Sequence, residues 1–384
     1  MINKTKILQN ILSQIKIGQI EVKFPNGETQ AFGKDTGLMA HLQINNIKAI
    51  SEILSKGDIG FGRGYIENWW QSNDIVTLLD VITSNARHFE KAIYGKGFFK
   101  ILYTVYHFFK RNTLANSKKN IEYHYDLGNN FYFKWLDSTR TYSSALFRGE
   151  ETLEEAQVEK YRNIIKHIPN AKTILEIGCG WGGFMSEAVK TNADINIKGL
   201  TLSHEQHDFV AQKFANNNNI FPIIQDYRNE AGKYDAVVSI EMFEAVGMEY
   251  WEIYMQKVAD ALNKGGIAVI QTITIDSSAF EEYTKTSDFI RHFIFPGGML
   301  PTVEIFEKIA KKAGFEVVAS ENFGMSYKKT LLLWLENFDR ISHELAPLGF
   351  DEKFIRKWRF YLAYCASGFN AKRTDVVQFV LRKI

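Results

Sequence analysis

The chain has 384 residues, 45% of them apolar and 23% charged, a length that accommodates two domains and at least one large core. A formal net charge of +2 excludes a global electrostatic drive towards nucleic acid. With only Cys179 and Cys365 there is no disulfide framework, so a reducing compartment is expected, and no run of about 18 apolar residues predicts a membrane span.

Residues 1–18 carry Ile7, Leu8, Ile11, Leu12 and Ile15 at helical spacing, which predicts an amphipathic helix rather than a signal peptide. Residues 20–24 alternate as a strand, Pro25, Asn26 and Gly27 form a hairpin signal, and helical segments follow. The run Phe61-Gly-Arg-Gly-Tyr65 predicts a flexible turn, with Trp69 and Trp70 opening another helical stretch. Residues 97–111 are dense in aromatic side chains and bordered by Lys96, Lys100, Lys110, Arg111, Lys118 and Lys119. Two readings stand: a segment lying in a membrane interface, or a buried inter-domain helix with a solvated basic end. The polar stretch 112–120 reads as a linker between a small α+β domain (1–111) and a larger domain (121–384).

Beyond 121, strands are predicted at 173–178, 196–201, 220–225, 234–240, 266–274, 315–321 and 376–382, with helices between most of them. Helical segments at about 327–341 and 352–367 precede the last strand. Such alternation predicts an α/β fold with a mainly parallel sheet covered on both faces. The apolar strand ending at Ile177 breaks into Gly178, Gly180, Gly182 and Gly183, and a helix follows from Phe184. Glycines there let the backbone approach a nucleotide-like cofactor over the strand's carboxyl end. The spacing Glu-x-Gly-x-Gly favours S-adenosylmethionine (SAM) over a dinucleotide.

Several further blocks follow in order: His124-Tyr-Asp-Leu-Gly-Asn-Asn-Phe131, Thr141-Tyr-Ser-Ser-Ala145, Leu175-Glu-Ile-Gly-Cys-Gly-Trp-Gly-Gly183 and Gly199-Leu-Thr-Leu-Ser-His-Glu-Gln206. Then come Gln225-Asp-Tyr227, Ser239-Ile-Glu-Met-Phe-Glu-Ala-Val-Gly247, Ile294-Phe-Pro-Gly-Gly298, Asn322-Phe-Gly324 and Phe360-Tyr-Leu-Ala-Tyr-Cys-Ala366. With these blocks the chain resembles the cyclopropane-fatty-acyl-phospholipid synthases and mycolic acid methyltransferases, over about 120–384. The resemblance implies a Rossmann-like SAM-dependent methyltransferase fold with a seven-stranded, mainly parallel sheet, preceded by a small α+β lipid-facing domain. The implied reaction is methyl transfer from SAM to the double bond of an unsaturated phospholipid acyl chain, through a carbocation. The product is left open between a cyclopropane and a methyl- or methylene-branched chain.

The resemblance assigns SAM binding to Tyr142, Ser143, Glu176, Gly178, Cys179, Gly180, Thr201, Leu202, Gln206, Asp226 and Tyr227. Thr201 and Gln206 stand in for the acid that usually holds the ribose diol, and Asp226 is placed to meet the adenine amine. Glu244 is expected to stabilise the carbocation. In relatives a bound bicarbonate acts as base; the corresponding nest here is Ser144, Glu244, Gln271, Ile273 and Tyr327. Ser144 replaces a cysteine and Gln271 a histidine, and both still donate hydrogen bonds to an oxyanion. Cys365 lies in a block sometimes taken to hold a catalytic cysteine, against which stands its reading as a packed core residue. His124 is expected in a structural or lid role. His204, His207 and His292 lack metal-ligand spacing, so no metal is expected.

Partners implied are a phospholipid bilayer, visited peripherally on its cytoplasmic face, and a second copy of the chain as a homodimer; no nucleic acid partner is expected. Amino-directed nucleic-acid methyltransferases need a Pro-Pro-aromatic turn after strand four, where this chain has Glu241-Met-Phe-Glu. The remaining alternatives are a methyltransferase of a soluble metabolite and a non-catalytic lipid-binding relative.

Overall fold

The computed structural model describes residues 4–34, 37–86, 88–89 and 127–384. The aromatic segment 97–111, the linker 112–120 and His124 lie outside the described residues. The chain divides into two compact units, one comprising Met1–Phe109, Glu281–Ile294 and Trp334–Arg373, the other Lys110–Phe280, Phe295–Leu333 and Thr374–Ile384. Contacts therefore divide it differently from one sequential cut: segments 281–294 and 334–373 join the N-terminal unit.

In that first unit a four-stranded sheet has the order β2-β1-β3-β4, with β1 Gln19–Lys23, β2 Thr29–Gly33, β3 Met39–Ile44 and β4 Trp70–Gln71. β1 and β2 form the expected antiparallel hairpin, closed by a Phe24 N–H to Glu28 carbonyl bond of 2.8 Å. Residues 61–65 correct the sequence reading. They lie inside the helix Lys48–Ile66, and Phe61, Gly62, Gly64 and Tyr65 are buried. A Cβ on Gly62 would stand 2.2 Å from the Phe289 ring, and one on Gly64 2.7 Å from Trp70. These glycines permit close packing rather than flexibility. Trp70 also departs from expectation, forming β4; the next helix, Ile75–Ser84, starts at Asp74, whose carboxylate caps the Thr77 N–H.

The second unit is built on a seven-stranded sheet of order β10-β11-β9-β8-β5-β6-β7. Its strands are β5 Thr173–Ile177, β6 Asn196–Thr201, β7 Ile220–Ile224, β8 Tyr234–Ile240, β9 Leu262–Ile275, β10 Phe315–Asn322 and β11 Thr374–Lys383. All seven predicted strands form, and β11 alone runs against the rest, pairing antiparallel with both β9 and β10. Alternate strand residues feed two cores. Leu175, Val237, Phe379 and Leu381 pack with the helices Trp251–Ala261 and Val303–Lys312. Ile174, Ala236, Val238 and Val380 pack with Leu153–Ile165 and Gly183–Thr191. Coverage of both faces explains the near-continuous apolar runs of these strands. Each fully buried Leu or Phe among them contributes about 1.5–3 kcal/mol.

Candidate active site

The site lies where the parallel strands β5, β6, β7 and β8 end, the position at which open α/β sheets bind ligands. β5 leads into Gly178 at φ +83° and Gly180 at φ +51°, conformations that a side chain would strain. A Cβ on Gly178 would press on Met242 at 3.1 Å, whereas one on Gly180 would meet nothing within 4 Å, because the turn opens onto a pocket. Every residue assigned to SAM lines this pocket: Tyr142, Ser143, Glu176, Gly178, Cys179, Gly180, Thr201, Leu202, Gln206, Asp226 and Tyr227.

Local structure fixes these side chains. Ser143 is gripped twice by the helix Leu153–Ile165: the Lys160 ammonium donates to its hydroxyl at 2.7 Å, and the Gln157 amide donates to its carbonyl at 2.9 Å. Lys160 is fully buried, and that burial lowers its pKa to about 7 against the pull of Glu241, Asp137 and Glu176. Ser203 caps the helix His204–Lys213 by accepting the Gln206 N–H, and the Thr201 hydroxyl donates to Gln206 Oε1 at 2.8 Å. The Gln206 amide hydrogens are thereby directed by a fixed carbonyl. Asp226 is paired with Arg228 at 2.6 Å, and although burial opposes it this partner holds its carboxyl below the usual range. Glu176 is buried, its pKa pushed well up by desolvation, and its Oε2 has no hydrogen-bond partner among the described residues. An unsatisfied acid oxygen, an oriented amide and an Asp at the strand ends fit a ligand carrying an ammonium, a ribose and an adenine, as SAM does. Cys179 is 4% exposed and burial raises its thiol pKa, which suits a packing residue beneath the turn.

At the pocket wall beyond Ile240 stands Glu241, which the sequence reading did not single out. It is the first residue past β8, and its backbone takes φ +51°, uncommon for a non-glycine residue. Its Oε1 accepts the Ser144 backbone N–H at 2.8 Å and the Gln271 amide at 2.7 Å; its Oε2 accepts the Tyr327 hydroxyl at 2.7 Å. Gln271 is itself aimed by Gln378, whose amide donates to Gln271 Oε1 at 2.9 Å. Burial raises the Glu241 pKa, opposed by Tyr327, the Lys160 charge, Ser144 and Gln271.

The five-residue nest expected for bicarbonate is therefore divided. Ser144, Gln271 and Tyr327 hold Glu241, while Ile273 donates its N–H to Glu244 Oε1. The Ser144 hydroxyl, expected as a donor to the anion, instead donates to the Ala145 carbonyl at 2.8 Å. These residues do not fit a separate bicarbonate: a protein carboxylate already takes the same donors. Glu244 has a pKa raised from 4.5 to about 8, by burial first and then by the Glu241 charge, and its Oε2 is buried without a hydrogen-bond partner among the described residues. Glu244 thus keeps its proton at neutral pH, while at Glu241 the Tyr327, Lys160, Ser144 and Gln271 contacts favour the charged form against its burial. A paired signal could have pointed to Glu241: both departures from the nest, Ser144 and Gln271, are neutral donors, and an extra acid stands three residues before Glu244.

Cys365 sits on the helix Glu352–Asn370 of the first unit, and burial, then Asp288, pushes its thiol pKa up, away from a thiolate. Among the described residues no group of three or more His, Cys, Asp and Glu is arranged to hold a metal ion.

Comparison with known proteins bears on this arrangement. The family model for mycolic acid cyclopropane synthetase matches residues 112–379. Tuberculostearic acid methyltransferase UfaA1 of Mycobacterium tuberculosis is 33% identical over 340 residues, covering 85% of this chain and 79% of that protein. Cyclopropane-fatty-acyl-phospholipid synthase of Escherichia coli is 29% identical over 356 residues, covering 90% and 88%. The crystal structure of mycolic acid cyclopropane synthase CmaA1, complexed with SAH and CTAB, superposes with a TM-score of 0.64 at 32% identity, covering 69% of this chain and 98% of that one.

Proposed function

The chain belongs to the mycolic acid cyclopropane synthetase family and is a SAM-dependent methyltransferase; on that premise we propose that it methylates the double bond of an unsaturated phospholipid acyl chain. The observation that carries this reading is the pocket at the strand ends, with Glu241 at its wall held by three neutral donors and Glu244 behind it held by a main-chain N–H. Bound SAM supplies an electrophilic methyl group. An isolated alkene is a weak nucleophile, so the protein must hold it in line with that methyl in a dry site, and must stabilise the positive charge that develops.

The residues divide this work. Glu176, Gln206, Thr201 and Asp226 are placed to bind the donor, with Tyr142 and Ser143 over it, Ser143 fixed by Lys160 and Gln157. Glu241 presents a negative carboxylate to the developing cation. Tyr327, Ser144 and Gln271 hold that carboxylate in place without neutralising it. Glu244, neutral and tied to Ile273, stays near Glu241 without adding a second charge.

The same reading makes the protein a peripheral visitor to the cytoplasmic face of the bilayer and a homodimer, with the aromatic and basic residues of 97–111 as the sequence feature that favours lipid contact. No helix among the described residues is long and apolar enough to cross a membrane. Mass spectrometry of monounsaturated phospholipid vesicles incubated with protein and SAM tests the reaction. The expected result is a gain of one CH₂ unit in the acyl chains, and ozonolysis then tells a ring from a remaining double bond. Unchanged lipid, with SAM bound, would transfer the reading to a soluble acceptor.

A further inference from the structure

The three donors around Glu241 form a complete anion cradle: a main-chain N–H from Ser144, an amide from Gln271 and a phenol from Tyr327 at 2.7–2.8 Å. A cradle of this kind selects a planar, two-oxygen anion, and the chain fills it from within. Three further features argue that the arrangement is functional rather than incidental. Glu241 holds a backbone conformation, φ +51°, that disfavours a side chain with a Cβ, and such strain persists where surrounding structure imposes it. The donors are all uncharged, and the one cation acting on the carboxylate among the described residues, Lys160, directs its ammonium to Ser143 and Gln157 rather than to Glu241. An acid held by neutral donors keeps a basic lone pair that a direct ion pair would mask. Finally, Glu241 lines the donor pocket itself, whereas Glu244 does not.

We propose that Glu241 is the catalytic base, a carboxylate built into the chain in the place where the family resemblance leads one to expect bicarbonate, so that turnover needs no bicarbonate. The proposal rests on the alkene-methylating function above. For a cyclopropane product the step is balanced as follows. A C–H bond of the newly added methyl breaks, its electron pair forms the ring-closing C–C bond to the cationic carbon, and the proton passes to a Glu241 carboxylate oxygen. The proton then leaves to solvent, restoring the carboxylate; for an alkene product the same oxygen takes a proton from the carbon next to the cation. Nothing is oxidised or reduced.

The test compares wild type, Glu241→Gln and Glu241→Gly, glycine being chosen because it relieves the positive φ. Each is assayed with SAM and monounsaturated phosphatidylethanolamine–phosphatidylglycerol vesicles, in bicarbonate-depleted buffer and with bicarbonate added back. SAM affinity by calorimetry and ¹³C-bicarbonate binding by NMR are read separately. Wild-type turnover is expected to be the same in both buffers, with no ¹³C-bicarbonate bound. Glu241→Gln is expected to lose on the order of 10²–10⁴-fold in kcat with SAM affinity kept. Glu241→Gly is expected to bind ¹³C-bicarbonate in the vacated cradle and to regain turnover when it is added. Wild-type activity that vanishes on bicarbonate depletion, or Glu241→Gln turnover near wild type, overturns the proposal. If wild type leaves the lipid unchanged, the alkene reading fails instead. The NMR arm still decides the cradle: bicarbonate bound by wild type overturns the substitution, and bicarbonate bound only by Glu241→Gly supports it.

Discussion

Each unit of the molecule holds two neighbouring acids, and the two pairs are built differently. In the first unit Asp288 is paired with Arg291 at 2.7 Å, and Asp58 accepts the Tyr364 hydroxyl at 2.8 Å and the Phe289 N–H at 3.2 Å. Burial, then Asp288, raises the Asp58 pKa to about 6. A guanidinium takes the second charge, and the cluster joins the helices Lys48–Ile66 and Glu352–Asn370 to the segment 281–294. In the second unit no cation among the described residues pairs with Glu241; amide, phenol and main-chain N–H hold it, and Glu244 beside it keeps a proton. The same ingredients thus give a brace in one place and a base held by neutral donors in the other. What differs is whether the charge is cancelled or only oriented.

Substitutions can break that contrast. The largest effect expected is on chemistry: Glu241→Gln should lower kcat on the order of 10²–10⁴-fold, measured with SAM binding as control. A matched pair of tyrosines then separates the two clusters. Tyr327→Phe removes one donor from Glu241, which raises the carboxyl pKa further. The acid limb of the kcat/KM profile should move to higher pH, and kcat at neutral pH should fall about ten- to a hundredfold. Tyr364→Phe removes the equivalent donor from Asp58, and should cost about 1–3 kcal/mol of stability with kcat per folded molecule unchanged. If Tyr364→Phe lowers kcat as much as Tyr327→Phe does, the distinction between brace and base is lost.

How much of this was readable from the chain alone depended on the length scale of the signal. The seven strands were legible because each is an apolar run ended by turn residues, and the pocket was legible because a glycine turn and its neighbours follow strand ends in order. The glycines at 62 and 64 misled: in sequence they look like those at 178 and 180, yet here they admit the Phe289 and Trp70 rings into a helix, a contact across more than two hundred residues in the first case. Local composition carries no record of such a contact. Segments 281–294 and 334–373 joining the first unit were hidden for the same reason. Glu241 was hidden differently. Its role arises from Ser144, Gln271 and Tyr327, donors on a loop, a central strand and a helix start, and only the fold brings them to one carboxylate.

The smallest expected effect concerns Glu244, and it tests the charge assignment directly. Its folded pKa of about 8 exceeds the ordinary 4.5. Between those values the folded protein holds a proton that the unfolded chain has released, so this group's contribution to stability is fully present below about pH 4.5 and is lost as pH rises through about 8. Glutamine carries no such proton in either state. Glu244→Gln should therefore melt close to wild type at pH 5 and gain on it progressively up to about pH 8.5, the slope between them approaching about 1.4 kcal/mol per pH unit at most. Because glutamine matches a neutral acid in shape, and still accepts the Ile273 N–H, turnover should stay within about tenfold of wild type, a change of about 1.4 kcal/mol. Parallel melting curves would mean that Glu244 is ionised in the folded protein. A loss of turnover as deep as that of Glu241→Gln would make Glu244 an equal partner in the chemistry, and the two acids would then share one proton rather than divide charge and proton between them.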